Sequence, residues 1–264
     1  MVLDINNMFP AREGVSGAGT SQVIYLRERS MAMLKQDLIL RNPLRILGNQ
    51  ENEPLKEGAF GAVLAKAGVG KTAFLVQLAL DNLLKGRNVL HISLTQPVRK
   101  VCLWYEEVFH NIADEYRLKN TSELWETILP HRFIMTFRAD DFSVAKLEER
   151  LNDLTEQGIF FPQLVIIDGL PFGEGVRDAL AELKIVAREQ GFPVWFAIKV
   201  RPDDDLSPHR LPETVEDVSD LFQFLIGLKP SKKEINIMVI KGDVDEDAPP
   251  MFLDPATLLI KNRE

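Results

Sequence analysis

Two glycines, a lysine and a threonine lie close together in the segment AKAGVGKT, residues 65–72 of the 264-residue chain. Gly68 and Gly70 allow backbone turns that direct consecutive N–H groups inward, and such amides beside a helix N-terminus form an anion site. Lys71 has the right position to reach the β and γ phosphates of a nucleotide, and Thr72 to bind Mg²⁺ through its hydroxyl. This spacing predicts a phosphate-binding loop of the Walker A type, although alanine stands where its first glycine is usual.

The flanking sequence supports the same prediction. An apolar run at 61–65 predicts a strand before the loop, and apolar spacing over 72–84 predicts a helix after it. About a hundred residues further on, the apolar strand 164–167 ends in Asp168, which can hold magnesium through water. The alternative is a glycine turn with a solvated Lys71, which the two features together disfavour. The predicted cofactors are ATP and Mg²⁺, the predicted metal ligands Thr72 and Asp168, and the cofactor-binding residues Ala67, Gly68, Val69, Gly70, Lys71, Thr72 and Ala73.

The wider chain alternates apolar strands with amphipathic helices, which predicts an α/β fold with a mostly parallel sheet and helices on both faces. Residues 221–228 and 234–241 predict two strands joined by a turn, and hence an antiparallel C-terminal edge. Further strands are predicted at 88–94, 132–137, 193–200, 251–253 and 258–260, and helices within 98–129, 143–156 and 174–190.

Residues 1–57 are predicted to be an N-terminal arm and linker, and residues 58–264 the nucleotide-binding domain. Glycine, serine and threonine residues up to Ser21 indicate a flexible opening, which a helix over 26–38 follows. The polar stretch 49–54 is predicted to belong to the linker.

Composition limits the classes of function. The net charge is -8, which disfavours nucleic acid as a partner because such binding depends on phosphate neutralisation by basic residues. The single cysteine excludes an internal disulfide. No run approaches the roughly 20 apolar residues of a membrane helix, and the first residues do not resemble a secretion signal. We therefore expect a cytoplasmic protein without membrane contact.

The segment from Val63 to Phe74 resembles the loop of RecA-like P-loop ATPases, most closely that of DnaB-type replicative helicases. KaiC and RadA proteins share this core. Residues 85–94 are similar to the second strand of that family, and residues 254–257 to its final hairpin. The resemblance implies a RecA-like fold and a nucleotide held between subunits, hence a homo-oligomer or a protein partner. It also favours ATP, since no guanine-reading Asn-Lys-x-Asp motif occurs.

Two catalytic positions differ from that family. Thr95 stands where the family has a glutamate that activates water, and threonine cannot act as a general base. Gln96 could orient a water instead. The family's Lys-x-Arg pair, which reaches into a neighbouring subunit, is matched by Lys241 with Asp243 in place of the arginine. Weak or partner-dependent hydrolysis is therefore expected.

The family's polar sensor falls near Lys199, and either Lys199 or Arg201 could contact the γ-phosphate; the alternative is a solvated basic residue at a strand end. The predicted catalytic residues are thus Lys71, Gln96 and Lys199. The acidic segments 201–208 and 243–247 are predicted to be solvated loops, with a magnesium site as the less favoured alternative.

These features predict a nucleotide-dependent switch or regulator. One alternative is an ATP-driven DNA motor or recombinase, which the family resemblance supports and the charge opposes. Another is a dimeric ATPase similar to MinD and ParA. In those ATPases a signature lysine stands at the start of the loop, and Lys66 has the matching spacing. A small-molecule kinase is the least favoured, because no acceptor site is recognisable.

Overall fold

The computed structural model describes residues 17–47, 55–207, 210–243, 247 and 249–263, and side chains from residue 29 onward except residue 46. Its helices are α1 Gly17–Arg41, α2 Lys71–Leu84, α3 Val98–Glu115, α4 Thr121–Ile128, α5 Val144–Glu156, α6 Val176–Glu189 and the single turn α7 Glu213–Glu216. Its strands are β1 Phe60–Ala65, β2 Val89–Ser93, β3 Arg132–Thr136, β4 Leu164–Asp168, β5 Val194–Lys199, β6 Phe222–Pro230, β7 Ile235–Lys241, β8 Met251–Leu253 and β9 Ile260–Asn262.

The described strands form one nine-stranded sheet in the order β3-β2-β4-β5-β1-β6-β7-β8-β9. Neighbours from β3 to β6 run parallel, and those from β6 to β9 run antiparallel. The predicted α/β class, with a mostly parallel sheet and an antiparallel C-terminal edge, is confirmed. Ala65 pairs with Lys199, and Ser93 with Asp168, so the carboxyl ends of four strands meet at one edge. In parallel α/β sheets this edge is where ligands bind.

The sheet separates two hydrophobic clusters. On β1, Val63 and Ala65 belong to the first cluster, whereas Ala62 and Leu64 belong to the second. The first cluster contains buried residues of α2, α3 and α4, and the second those of α5 and α6. Both faces of the parallel strands are thus covered, which explains why β1 and β4 are continuous apolar runs.

The N-terminal segment differs from the prediction. α1 begins at Gly17, so the expected flexible opening is wrong from that residue to Ser21. Glycine costs only about 1 kcal/mol in a helix, and α1 is 25 residues long and can absorb that cost. Further along, Leu38, Leu44 and Leu47 are buried in the first cluster. The domain boundary at residue 57 stays a prediction, and the polar stretch 49–54 lies outside the described residues.

Positive backbone φ angles explain where other elements begin. Asn120, at φ 58°, precedes α4, so the predicted helical stretch 98–129 consists of two helices. Gly175, at φ 78°, delays α6 to Val176. Leu258, at φ 59°, lies in a turn, so the last strand starts at residue 260 rather than 258. In the part of the chain that the structure describes, no helix has the length and apolarity to cross a membrane.

Candidate nucleotide-binding site

The glycine loop, residues 66–70, joins β1 to α2 at the carboxyl edge of the sheet. Gly68 and Gly70 have φ angles of 75° and 104°, in the left-handed region that favours glycine. Gly70 is also the N-cap residue of α2, and a Cβ at this position would lie 2.5 Å from Leu253 Cδ2. The loop therefore turns sharply into a 14-residue helix, whose first amides can receive an anion.

Lys71 bends back over this loop. Its Nζ donates to the carbonyl oxygen of Ala65 at 3.0 Å and to that of Lys66 at 2.9 Å. Burial lowers the pKa of Lys71; the nearby charge of Asp168 opposes the shift, and that of Lys199 adds to it. The ammonium group is thus held at the loop by two neutral carbonyl oxygens. An anionic ligand could replace them, because hydrogen bonds between charged groups are stronger than those to neutral acceptors.

Thr72 and Asp168 are joined across the site. Thr72 Oγ1 donates to Asp168 Oδ2 at 2.7 Å, although the residues are 96 positions apart. Asp168 is 8% exposed, and burial raises the pKa of its carboxyl, while the Thr72 hydrogen bond and the Lys71 charge act in the opposite direction. A hydroxyl and a carboxylate are the hard oxygen donors that Mg²⁺ uses beside phosphate and water. The two predicted metal ligands therefore lie together and fit that ion.

Thr95 and Gln96 follow β2 at the same edge. A Cβ on Gly169 would lie 2.6 Å from Thr95 Cγ2, so Thr95 packs directly against the residue after Asp168. Gln96 Oε1 accepts a hydrogen bond from Trp104 Nε1 at 3.2 Å. The predicted catalytic glutamine is therefore oriented by α3, a contact that no local sequence pattern indicated.

Lys199 is exposed at the end of β5, close enough to Lys71 for its charge to lower the pKa of that lysine. Arg201 instead contacts Glu213, with 3.4 Å between Nη1 and Oε2. Asp204 accepts from the backbone N–H groups of Arg201 and Glu213 at 2.9 and 3.0 Å, so it closes its own loop. Across the described residues, no group of three or more His, Cys, Asp or Glu side chains could hold a metal.

Two other lysines were singled out from the sequence, Lys241 and Lys66. Lys241 Nζ donates to the carbonyl oxygen of Ser219 at 2.7 Å. Its register partner Leu225 pairs with Ala62, so Lys241 lies nearer the amino end of β1 than the glycine loop does. Lys66 is exposed within the glycine loop itself. Of the acidic segment 243–247, residues 244–246 lie outside the described part of the chain.

Comparison with known proteins assigns no family. No protein-family model matches the chain, and no curated protein matches it. The fold defines an α/β protein with a mixed sheet, and the glycine loop, Lys71, Thr72 and Asp168 converge at the edge of the sheet where such proteins bind ligands.

Proposed function

We propose that this protein binds ATP with Mg²⁺ as a RecA-like P-loop ATPase that hydrolyses it weakly or only with a partner, and that it acts as a nucleotide-dependent switch. The observation that carries the proposal is the Thr72–Asp168 hydrogen bond of 2.7 Å beside Lys71. It joins the helix after a glycine loop to the end of an apolar strand, and both side chains suit the same metal. A glycine turn that binds no ligand would need no hydrogen bond between Thr72 and Asp168.

In this proposal several groups together neutralise the negative charge of the triphosphate. The amides of residues 67–73 surround the phosphate oxygens. Lys71 exchanges the carbonyls of Ala65 and Lys66 for the β and γ phosphates. Thr72 would hold Mg²⁺ directly and Asp168 through water, and the ion would neutralise part of the remaining negative charge. Lys199, already near Lys71, contacts the γ-phosphate and so distinguishes ATP from ADP.

Slow hydrolysis follows from what surrounds this site. Thr95 has no basic group, and the amide of Gln96 can orient a water but cannot accept its proton. Lys241 is hydrogen-bonded within its own chain and has no arginine beside it. A trans-acting arginine can contribute about 10³–10⁵ in rate. The proposal therefore places hydrolysis under the control of a second subunit or another protein, which would complete the site.

Two assays test the proposal and its main alternative. Hydrolysis of ATP by the purified chain is expected to be slow and to require Mg²⁺, and retention of single-stranded DNA on a filter is expected to be absent. Salt-sensitive DNA binding at micromolar protein, together with ATP hydrolysis that DNA stimulates, would favour the motor or recombinase. A chain that binds no nucleotide would overturn both.

A further inference from the structure

The end of β8, in the β8–β9 hairpin, lies against the glycine loop, although about 180 residues separate them in sequence. Leu253, the last residue of β8, is fully buried. Its Cδ2 occupies the place where a side chain on Gly70 would begin, with 2.5 Å between that atom and a Cβ built on Gly70. The side chain of Leu253 therefore packs directly behind Gly70, the N-cap residue of α2.

Gln77, two turns into α2, fastens this hairpin to the same helix. Its Nε2 donates to the carbonyl oxygen of Leu258 at 2.8 Å, and its Oε1 accepts from the backbone N–H of Ile260 at 2.7 Å. Nε2 also lies 3.2 Å from the carbonyl oxygen of Ala73, one turn earlier in the helix. Gln77 is only 7% exposed, so leaving these groups unpaired would be costly.

The hairpin depends on such contacts because the sheet holds it weakly. β8 pairs with β7 through two residue pairs alone, Ile235 with Leu253 and Asn236 with Phe252. The turn also contains Leu258 at φ 59°, a conformation that costs a leucine energy and must be stabilised by its surroundings. α3 adds two further supports: a hydrogen bond of 2.7 Å from Asn111 Nδ2 to the carbonyl oxygen of Thr257, and an ion pair of 3.1 Å between Glu115 and Lys261.

We propose that residues 251–262, here called the C-terminal brace, position the glycine loop for phosphate binding, with Leu253 and Gln77 as the positioning residues. Leu253 limits where Gly70 can move, and Gln77 keeps the brace in register with α2. Neither residue is among those proposed to contact the nucleotide. The inference rests on the proposed function, because it explains how the same loop is held in its anion-binding shape.

Leu253→Ala removes the side chain that packs behind Gly70, and Leu147→Ala is its matched control. Both leucines are fully buried, but Leu147 lies on α5 in the second hydrophobic cluster, on the opposite face of the sheet. Each truncation should lower the urea midpoint, since a new cavity is created in both cases. Only Leu253→Ala should also weaken Mg·ATP binding by about 5-fold or more, a typical size for coupling between separate sites. Leu253→Met, which conserves volume, should restore most of the affinity.

Gln77→Leu provides a second variant that removes both hydrogen bonds while conserving size. It too should weaken Mg·ATP binding. Gln163→Leu should not, because Gln163 is exposed and precedes β4 at the amino ends of the parallel strands, away from the glycine loop. Hydrogen exchange of the wild-type chain gives a readout that needs no variant. Saturation with Mg·ATP should slow exchange at the backbone amides of Leu258 and Ile260, because loop and brace are linked.

Equal affinity in wild type, Leu253→Ala and Gln77→Leu, with unchanged exchange in the brace, would overturn the inference and leave the proposed function intact. A wild-type chain that binds no nucleotide would overturn both. If Leu253→Ala fails to fold, Gln77→Leu and the exchange measurement decide.

Discussion

Thr72 Oγ1 and Asp168 Oδ2 lie 2.7 Å apart, and this contact joins the first turn of α2 to the end of β4 across the intervening strand β5. Asp168 is buried, which raises the pKa of its carboxyl, and the Thr72 hydrogen bond and the charge of Lys71 oppose that rise. The hydrogen bond from Thr72 thus positions the Asp168 carboxylate in a site where burial disfavours its negative charge. A bound Mg²⁺ would remove that disadvantage, because it supplies the missing positive charge.

Thr72→Val should uncouple nucleotide binding from the metal. Valine keeps the shape of threonine but removes the hydroxyl oxygen. The affinity for Mg·ATP should fall roughly 10- to 100-fold, the range typical for disturbed metal sites, while binding without Mg²⁺ stays nearly unchanged. Calorimetric titration with and without EDTA measures both. Thr155→Val is the control, since that hydroxyl bonds the carbonyl of Leu151 on α5; an equal loss there would contradict the assignment.

Asp168→Asn should stabilise the folded chain at neutral pH and abolish the Mg²⁺ dependence of binding. Because folding raises the pKa of Asp168 above the ordinary 3.8, the folded state binds more protons, and ionisation lowers stability as pH rises through this range. The neutral amide avoids that cost. The urea midpoint at pH 7.5 should therefore exceed that of the wild type, and the difference should disappear below pH 3.8.

The control for this prediction is Asp153→Asn, which changes an exposed carboxylate on α5. It should leave both the urea midpoint and Mg²⁺ dependence near wild type. A destabilised Asp168→Asn variant at pH 7.5 would mean that a partner of the carboxylate outweighs its burial.

Trp104→Phe should slow ATP hydrolysis as much as Gln96→Ala does. The indole N–H holds Gln96 Oε1 at 3.2 Å, and a glutamine without that donor loses its orientation. Because the two residues act as one unit, the double variant should be no slower than either single variant. Nucleotide affinity should remain within about two-fold, a change of less than 0.5 kcal/mol. Trp125→Phe is the control; independent, multiplicative losses in the double variant would argue against the contact.

His91 should make the fold sensitive to acid. Burial, with a smaller contribution from the charge of Arg132, lowers its pKa to about 3, while its Nδ1 pairs with the Tyr105 hydroxyl at 3.0 Å. The neutral ring contributes stability that is fully present above pH 6.5 and is lost as pH falls toward 3. The slope from this group can reach about 1.4 kcal/mol per pH unit.

Urea unfolding at several pH values measures that slope. His91→Asn should flatten it, because the amide does not titrate, whereas His110→Asn, on the exposed face of α3, should not. An unchanged slope in His91→Asn would assign the acid sensitivity to other groups.

Local sequence signals predicted much of this fold. The run from β1 through the glycine loop to α2 is encoded by neighbouring residues, since apolar strand, glycines and helix follow one another. The predicted helix 143–156 is α5, and the hydroxyl of Ser143, a residue type that favours helix N-caps, accepts from the backbone N–H of Lys146. The proximity of Thr72 and Asp168 agrees with the predicted parallel sheet, because the carboxyl ends of parallel strands meet at one edge. The order of the strands was not predicted.

Other contacts could not be predicted because they join residues far apart in the chain. Gln77 looked like an ordinary helix residue, yet it bonds backbone groups 181 and 183 positions away. Leu253 belonged to a short apolar run with no hint that it would contact Gly70. The helical start at Gly17 differs from the prediction because glycine normally opposes helix formation. Residue propensity does not show that a long helix can offset the cost of one glycine.

Calorimetric titration of ATP into wild type and Lys71→Ala tests the central claim most directly, with Lys119→Ala as a control for the loss of one exposed positive charge. The wild-type chain should bind one Mg·ATP per chain. Lys71→Ala should bind at least about 10-fold more weakly, since a hydrogen bond to a charged group contributes roughly 1.5–3 kcal/mol, and Lys119→Ala should match the wild type. A wild-type chain that binds no nucleotide up to about 1 mM, equivalent to about -4 kcal/mol, or equal affinity in all three proteins, would contradict this account.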